Sequence, residues 1–298
     1  MRALVRRPGA LRERHLRLLR VVNSRAPRSN APQAAKRRPP AAFLQLDALP
    51  ESPSIGSPCT LLEGEAEHLL RVLRVQPGAE LLGLDGRGLR LPLEVTRAEK
   101  RRLEVAVRAA GRRDPAPGSP GAALPHLELA AAWPSESRGD ALLDHATQLG
   151  VAAVRPLLAD RASGRRSAPR IARAERLLRE ACKQADRSWL PDLLQPLDAA
   201  AAAADFRKRH PEGQLLLTDP SAPESLGSRL ERVERPAARL LFVGPEGGFS
   251  QAELDDLGAT GAHPVRLGPQ VLRIATAAEA ALAIAASVLE APSRAPDA

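Results

Sequence analysis

At 298 residues, with 44% hydrophobic and 27% charged side chains, the chain carries enough apolar material for two separate cores. Two Trp, four Phe and no Tyr leave those cores to Leu, Val and Ala, and argue against a base-stacking platform of aromatic rings. The formal net charge of +9 is local, since residues 1–40 hold twelve of the 44 Lys/Arg against one of the 35 acids; residue 41 onward carries 32 basic and 34 acidic side chains, so a basic total says little about nucleic-acid binding by the body.

In chain order, residues 1–40 form an Arg-rich, acid-poor leader closing on Lys36-Arg37-Arg38-Pro39-Pro40. It reads as a disordered arm drawn to RNA phosphates, as an organelle transit peptide, or as a stretch with no selected role. No apolar core precedes a small-residue cleavage site, and the longest apolar stretch near the end, 280–289, is too short for a bilayer. Cys59 and Cys182 make no disulfide or metal framework, and the six His form no HExxH-like cluster. No metal and no membrane are expected, and a reduced, cytoplasmic setting fits best.

Residues 41–114 read as a small β-rich domain. A helix is expected over 61–75, with Leu62, Leu69, Leu70, Val72 and Leu73 clustered on one side. Strands follow at 81–84, 89–95 and 103–107, the first two joined through the hairpin dipeptide Asp85-Gly86. Residues 115–121, Pro-Ala-Pro-Gly-Ser-Pro-Gly, read as a linker. From 122 to 292 strands alternate with helices: strands at 127–131, 151–154, 214–218, 240–243 and 264–267, and helices before Gly150, over 171–183 and over 277–289. That alternation predicts an α/β domain with a mostly parallel sheet, whose ligands gather beyond the strands' carboxyl ends. Residues 293–298 are left as a tail.

Two such ends carry a Gly-Pro corner. Leu240-Leu241-Phe242-Val243 runs into Gly244-Pro245-Glu246-Gly247-Gly248-Phe249, and Ser250-Gln251-Ala252-Glu253 has the spacing of a capping box. Pro264-Val265-Arg266-Leu267 enters Gly268-Pro269-Gln270-Val271-Leu272-Arg273, and Thr276-Ala277-Ala278-Glu279 repeats the capping spacing. Loops with so few side chains suit either close main-chain approach to a polar small molecule or a plain tight turn. Neither GxxxxGK[ST] nor GxGxxG is present. Arg273, just before an apolar helix, is placed to meet an anion.

Taken together, Gly244-Pro245-Glu246-Gly247-Gly248-Phe249-Ser250, Leu267-Gly268-Pro269 and Val271-Leu272-Arg273 resemble the small-subunit ribosomal RNA (uridine-N3)-methyltransferase family of the SPOUT superfamily. The resemblance covers roughly residues 60–290. It extends to His68, Val72-Leu73-Arg74, Gly78 and Asp85-Gly86, to Ala146-Thr147-Gln148-Leu149-Gly150-Val151, and to Gln184-x-x-Arg187 before Leu190-Pro191. It implies a SPOUT-type α/β domain with a C-terminal trefoil knot behind a PUA-like β-barrel, a homodimer formed through the C-terminal domain, and S-adenosylmethionine as cofactor. The cofactor would be bound by Thr218, by Val243, Gly244, Pro245, Glu246, Gly247 and Gly248, and by Leu267, Gly268, Val271, Leu272 and Arg273. It implies small-subunit ribosomal RNA as partner, contacted by His68, Arg71, Arg74 and Arg187. Arg273 would stabilise charge developing on the uracil carbonyls, and Glu246 is a candidate base beside it. Ser135, Gln148, Lys183, Ala185, Ile274 and Ala275 stand where the family usually carries Lys, Glu, Glu, Ser, Thr and Glu. Those departures keep two alternatives open: a cofactor-binding relative that lost catalysis and serves in RNA binding or ribosome assembly, and a methyltransferase for another RNA position.

Overall fold

The computed structural model describes residues 38–49, 53–100, 102–134, 136–162, 170–232 and 236–291. The readings of the leader over 1–37, of Ser135 and of the tail lie outside the described residues.

The first unit of structure is a mixed six-stranded sheet. Glu80–Leu84 (β3) and Leu89–Glu99 (β4) form the expected hairpin, its corner fixed by Asp85 Oδ1, which accepts from the Arg87 and Leu89 N–H groups at 2.7 and 2.9 Å. Arg102–Val107 (β5) pairs with β4, Pro58–Cys59 (β2) pairs with β5, and Arg112–Arg113 (β6) with the start of β4. Ala41–Phe43 (β1) runs parallel to β3. The Gln45 N–H donates to Thr60 O (3.0 Å) and the Leu62 N–H to Phe43 O (2.8 Å). The chain leaving β2 thus hydrogen-bonds back onto β1, and the sheet closes on itself, which removes its free edges. Leu91, Leu93 and Val95 alternate inward along β4 and join Leu69, Leu81, Val105 and Val107 in the interior.

The helix expected over 61–75 is shorter: Glu65–Arg71 (α1). Leu61 bridges Leu44 in the barrel wall, Gly64 turns at φ 86°, and Arg74 at φ 52° ends the segment, so strand pairing at one end and a left-handed residue at the other cut the amphipathic pattern short.

The second sheet is parallel throughout. Its strands are His126–Ala132 (β7), Ala153–Leu157 (β8), Asp192–Leu193 (β9), Gln214–Thr218 (β10), Ala238–Val243 (β11) and His263–Val265 (β12), in the order β12-β10-β11-β7-β8-β9. Alternate residues feed two cores. Leu127, Leu129, Leu241 and Val243 pack under Glu136–Gln148 (α2), Ile171–Gln184 (α3), Leu226–Arg232 (α5) and Ile274–Leu289 (α7). Ala130, Leu240 and Phe242 pack under Ala199–Arg209 (α4) and Gln251–Ala259 (α6). Near-continuous apolar strands are what a sheet covered on both faces requires.

Charges inside this sheet are paired. Glu128, with no exposed surface, accepts from Arg155 Nε at 3.4 Å and Arg209 Nη2 at 2.7 Å. Burial raises its carboxyl pKa, and Arg209 and Arg155 oppose that. At the amino end of β7, the His126 ring lies 4.5 Å from His210, and its Nε2 finds no partner among the described residues. Burial first, then the nearby His210 and Arg209, hold the His126 pKa down at about 4. The unfolded chain therefore binds a proton there from its ordinary value of 6.5 while the folded chain does not. The His126 contribution to stability is complete above that value and is lost as pH falls toward about 4; His126→Leu is expected to flatten this part of a pH–denaturation profile.

Residues 182–190 join the α/β sheet to the barrel. The Gly88 N–H donates to Ser188 O (3.0 Å), the Leu190 N–H to Gly86 O (2.9 Å), and Trp189 Nε1 to Asp114 O (3.0 Å), while Phe43 and Leu84 pack on Cys182. No helix of the described residues is long and apolar enough to cross a membrane.

Candidate functional site

Beyond the carboxyl ends of β10 and β11, and against the loop after β12, lies a cleft of about 280 Å³. One wall is residues 218–221 with 243–246, Gly248 and Phe249; the other is Leu267, Gly268 and 270–272, with Leu254, Ile274 and Ala277 completing it. Thr218 Oγ1 donates to Phe242 O at 2.9 Å and ties the two strand ends together. The lining is mostly apolar side chain edged by loop main chain, which suits a ligand with an apolar body and polar ends.

Of the residues expected to hold a ligand, Thr218, Val243, Gly244, Pro245, Glu246, Gly248, Leu267, Gly268, Val271 and Leu272 meet here. Gly247 and Arg273 are not among its lining residues. Asp219, Pro220, Ser221, Phe249, Leu254, Gln270, Ile274 and Ala277 were not foreseen. Asp219-Pro220-Ser221 had a readable signal, a turn directly after a buried strand.

The glycines divide by what stands beside them. A Cβ on Gly244 would lie 2.9 Å from the Phe249 ring, and one on Gly247 would lie 3.3 Å from Arg161 Cβ. Gly248 turns at φ 69°, its N–H donating to Pro245 O at 2.9 Å. These three serve the loop's own turn and packing. At Gly268 a Cβ would meet nothing within 4 Å, so there the main chain faces open space. Gly244→Ala is accordingly expected to push buried Phe249 from its seat and cost about 1–3 kcal/mol in a denaturant titration.

The Ser250 box forms as its spacing predicts: the Ser250 N–H donates to Glu253 Oε2 at 2.6 Å and the Glu253 N–H to Ser250 Oγ at 3.3 Å. The second one does not. Helix α7 begins at Ile274, three residues before the expected start, because burying Ile274 in the first turn outweighs a polar cap; Glu279 instead accepts from or donates to His145 Nδ1 at 2.8 Å, according to proton placement. Arg273 is the residue before that helix, with no side-chain cap bond. Its exposed guanidinium and the exposed Glu246 carboxylate carry no ion pair or hydrogen bond among the described residues.

His68, Arg71 and Arg74 are exposed on and just after α1, Arg71 paired with Glu67 at 2.5 Å. Arg187 corrects the expectation of a phosphate contact. It turns inward and donates to Thr147 O at 2.6 Å and Val151 O at 2.9 Å, tying down the end of α2, and burial lowers its pKa. Among the family departures, Lys183 is bonded to both oxygens of Glu65 at 3.0 Å, Gln148 donates to Asp144 at 3.1 Å on the surface, and Ile274 lines the cleft.

Residues 122–286 match the family model described as RNA methyltransferase domain. The ribosomal RNA small subunit methyltransferase E of Synechocystis sp. is 32% identical over 231 residues, covering 78% of this chain and 73% of that protein. Its namesake in Mycobacterium tuberculosis is 29% identical over 249 residues, covering 81% and 90%. Among solved structures, a ribosomal RNA small subunit methyltransferase E from Neisseria gonorrhoeae bound to S-adenosyl methionine superposes with a TM-score of 0.68 at 28% identity, over 83% of this chain and 96% of that one. A Legionella pneumophila protein solved with bound SAM gives 0.69 at 24% identity, over 84% and 98%, and bears on the fold alone. These likenesses extend across barrel and α/β sheet alike, as a SPOUT-type fold behind a β-domain requires.

Proposed function

The chain belongs to the RNA methyltransferase family, and from that premise we propose that it moves a methyl group from S-adenosylmethionine to N3 of a uridine in small-subunit ribosomal RNA. The observation that carries this reading is the convergence of two Gly-Pro loops on one cleft at the carboxyl edge of a parallel sheet. The cleft fits the donor in kind. Leu254, Leu267, Val271, Leu272 and Ile274 offer an apolar lining, Gly268 leaves main chain open, and about 280 Å³ lies just under the usual range for small-molecule sites, which begins at about 300 Å³. The relative from Neisseria, bound to the same molecule, supports the assignment.

When bound, the donor supplies an electrophilic sulfonium methyl, so the protein's work is to orient the nucleophile and exclude water. Residues 243–246 and 267–272 would hold it. Arg273, one residue from the lining pair Leu272 and Ile274 and without an internal partner among the described residues, would stabilise negative charge developing on the uracil carbonyls. Uridine N3 must give up a proton, and exposed Glu246 is a candidate acceptor on the cleft wall, beside Asp219, whose Oδ1 already takes the Ser221 N–H and hydroxyl. His68, Arg71 and Arg74 on the barrel would contact RNA phosphates, and two copies would pair through the α/β domain.

A second reading draws on Ile274 and Ala275, which put no carboxylate where the family pattern has one: the chain would bind donor and RNA without turnover. Two measurements separate the readings. Isothermal titration tests uptake of S-adenosylmethionine, and mapping of N3-methyluridine in small-subunit RNA from a deletion strain tests transfer. Loss of one modified uridine, restored by the wild-type gene and not by Arg273→Ala, is the expected result. Persistence of every N3-methyluridine in the deletion strain would turn the assignment to the second reading.

A further inference from the structure

The loop at 244–250 is fastened from outside the cleft. Arg161, in the connection after β8, donates from Nη1 to the main-chain carbonyls of Gly247 at 3.2 Å and Phe249 at 3.3 Å. Its stem lies against Gly247, where any side chain would crowd it. The neighbouring Asp160 accepts from the Ser250 hydroxyl on Oδ2 at 2.8 Å, and its own N–H donates to Glu253 Oε1 at 3.1 Å. Glu253 Oε2 takes the Ser250 N–H, so the capping box and the Asp160 contacts form one network. Two adjacent residues therefore hold three points of the loop and one in the first turn of α6, and neither lines the cleft.

A loop with glycine at 244, 247 and 248 has much main-chain freedom to lose and few side chains of its own to restrain it. Restraint supplied beforehand lowers the cost of ordering it around a ligand. We infer that Asp160 and Arg161 are positioning residues that keep the 244–250 loop in the shape that receives S-adenosylmethionine; the inference rests on the assignment of the cleft to that donor.

The test compares wild type with Arg161→Ala, Arg161→Lys and Asp160→Ala. In the ligand-free protein, the amides of Gly248 and Ser250, which donate to Pro245 O and Glu253, should exchange hydrogen about tenfold faster in both alanine variants. The Kd for S-adenosylmethionine by calorimetry should rise about tenfold, as expected for losing modest, solvent-screened hydrogen bonds. On small ribosomal subunits from a deletion strain, KM for the donor should rise with Kd while kcat holds, and lysine at 161 should recover part of the loss. Unchanged exchange and Kd in the alanine variants, with normal uptake by wild type, would overturn the clamp alone. A fall in kcat at constant Kd would overturn it too, by placing Arg161 at the reacting atoms, and so would a thermal midpoint that drops in step with affinity. Failure of wild type to bind the donor would reject the cleft assignment and the clamp's purpose with it.

Discussion

Gly268→Val is expected to weaken S-adenosylmethionine binding by about 100-fold or more while leaving the unfolding midpoint in place. Gly268 lines the cleft, and a Cβ there would meet no protein atom within 4 Å. Its φ lies outside the left-handed region, so a side chain there begins with neither a Cβ clash nor backbone strain in the protein itself. The added methyl groups stand on the side where a ligand's atoms would go, in a cleft of only about 280 Å³. The whole penalty then falls on the bound state. Gly244 and Gly247 behave differently, because a side chain at either meets Phe249 or Arg161 before it meets a ligand. Calorimetric titration of Gly268→Val beside Gly244→Ala separates the two cases: the first should lose affinity and keep stability, the second should lose stability. Wild-type affinity in Gly268→Val would remove the second Gly-Pro corner from the binding site.

That contrast shows where sequence reading stopped. The two corners were legible as a pair, because each follows a short apolar strand and precedes a helix, and the strand over Gln214–Thr218 was legible to the residue from its composition. The role of each glycine was not, since it depends on which side chain the fold brings alongside, and Arg161 lies 86 positions before Gly247 in the chain. Helix limits failed for the same reason at 61–75, where strand pairing by Leu61 and Leu62 overrode an amphipathic pattern, and at 277–289, where burial of Ile274 drew the helix start forward. Charged residues inside strands, Glu128 and Arg155, gave no local hint that Arg209 and Asp205 on a distant helix would meet them. Arg187 shows the converse. Its place in a recognisable motif suggested a surface role, and the fold turns it onto two backbone carbonyls.

Lys183 is the departure from family pattern with the largest expected consequence for folding. Its side chain is 10% exposed and that of Glu65 7%, and both carboxylate oxygens receive Nζ at 3.0 Å. Removing one partner from a pair this far from water leaves the other charge uncompensated, typically costing about 3–5 kcal/mol. Glu180, half exposed and 2.8 Å from Nζ, gives Lys183 a second partner, so Glu65→Ala should lie at the low end, about 3 kcal/mol. Lys183→Glu should lie at the high end, because it sets a third carboxylate between Glu65 and Glu180 with no cation to meet them. Added salt should recover little, since screening acts weakly on buried charges. The exchanged pair Glu65→Lys with Lys183→Glu should regain most of the loss, although Glu180 then faces a like charge. Neither α1 nor α3 contributes to the cleft lining, so affinity for S-adenosylmethionine should survive in every variant that folds. Denaturant titrations of the two single variants and the exchange decide the matter: single losses below about 1 kcal/mol, or no recovery in the exchange, would mean the pair contributes no more than a surface ion pair does, and that the barrel is held to the sheet by the packing of Phe43 and Leu84 on Cys182, the backbone bonds of 86–88 and the bonds of Trp189 to Asp114 and of Arg90 to Asp186.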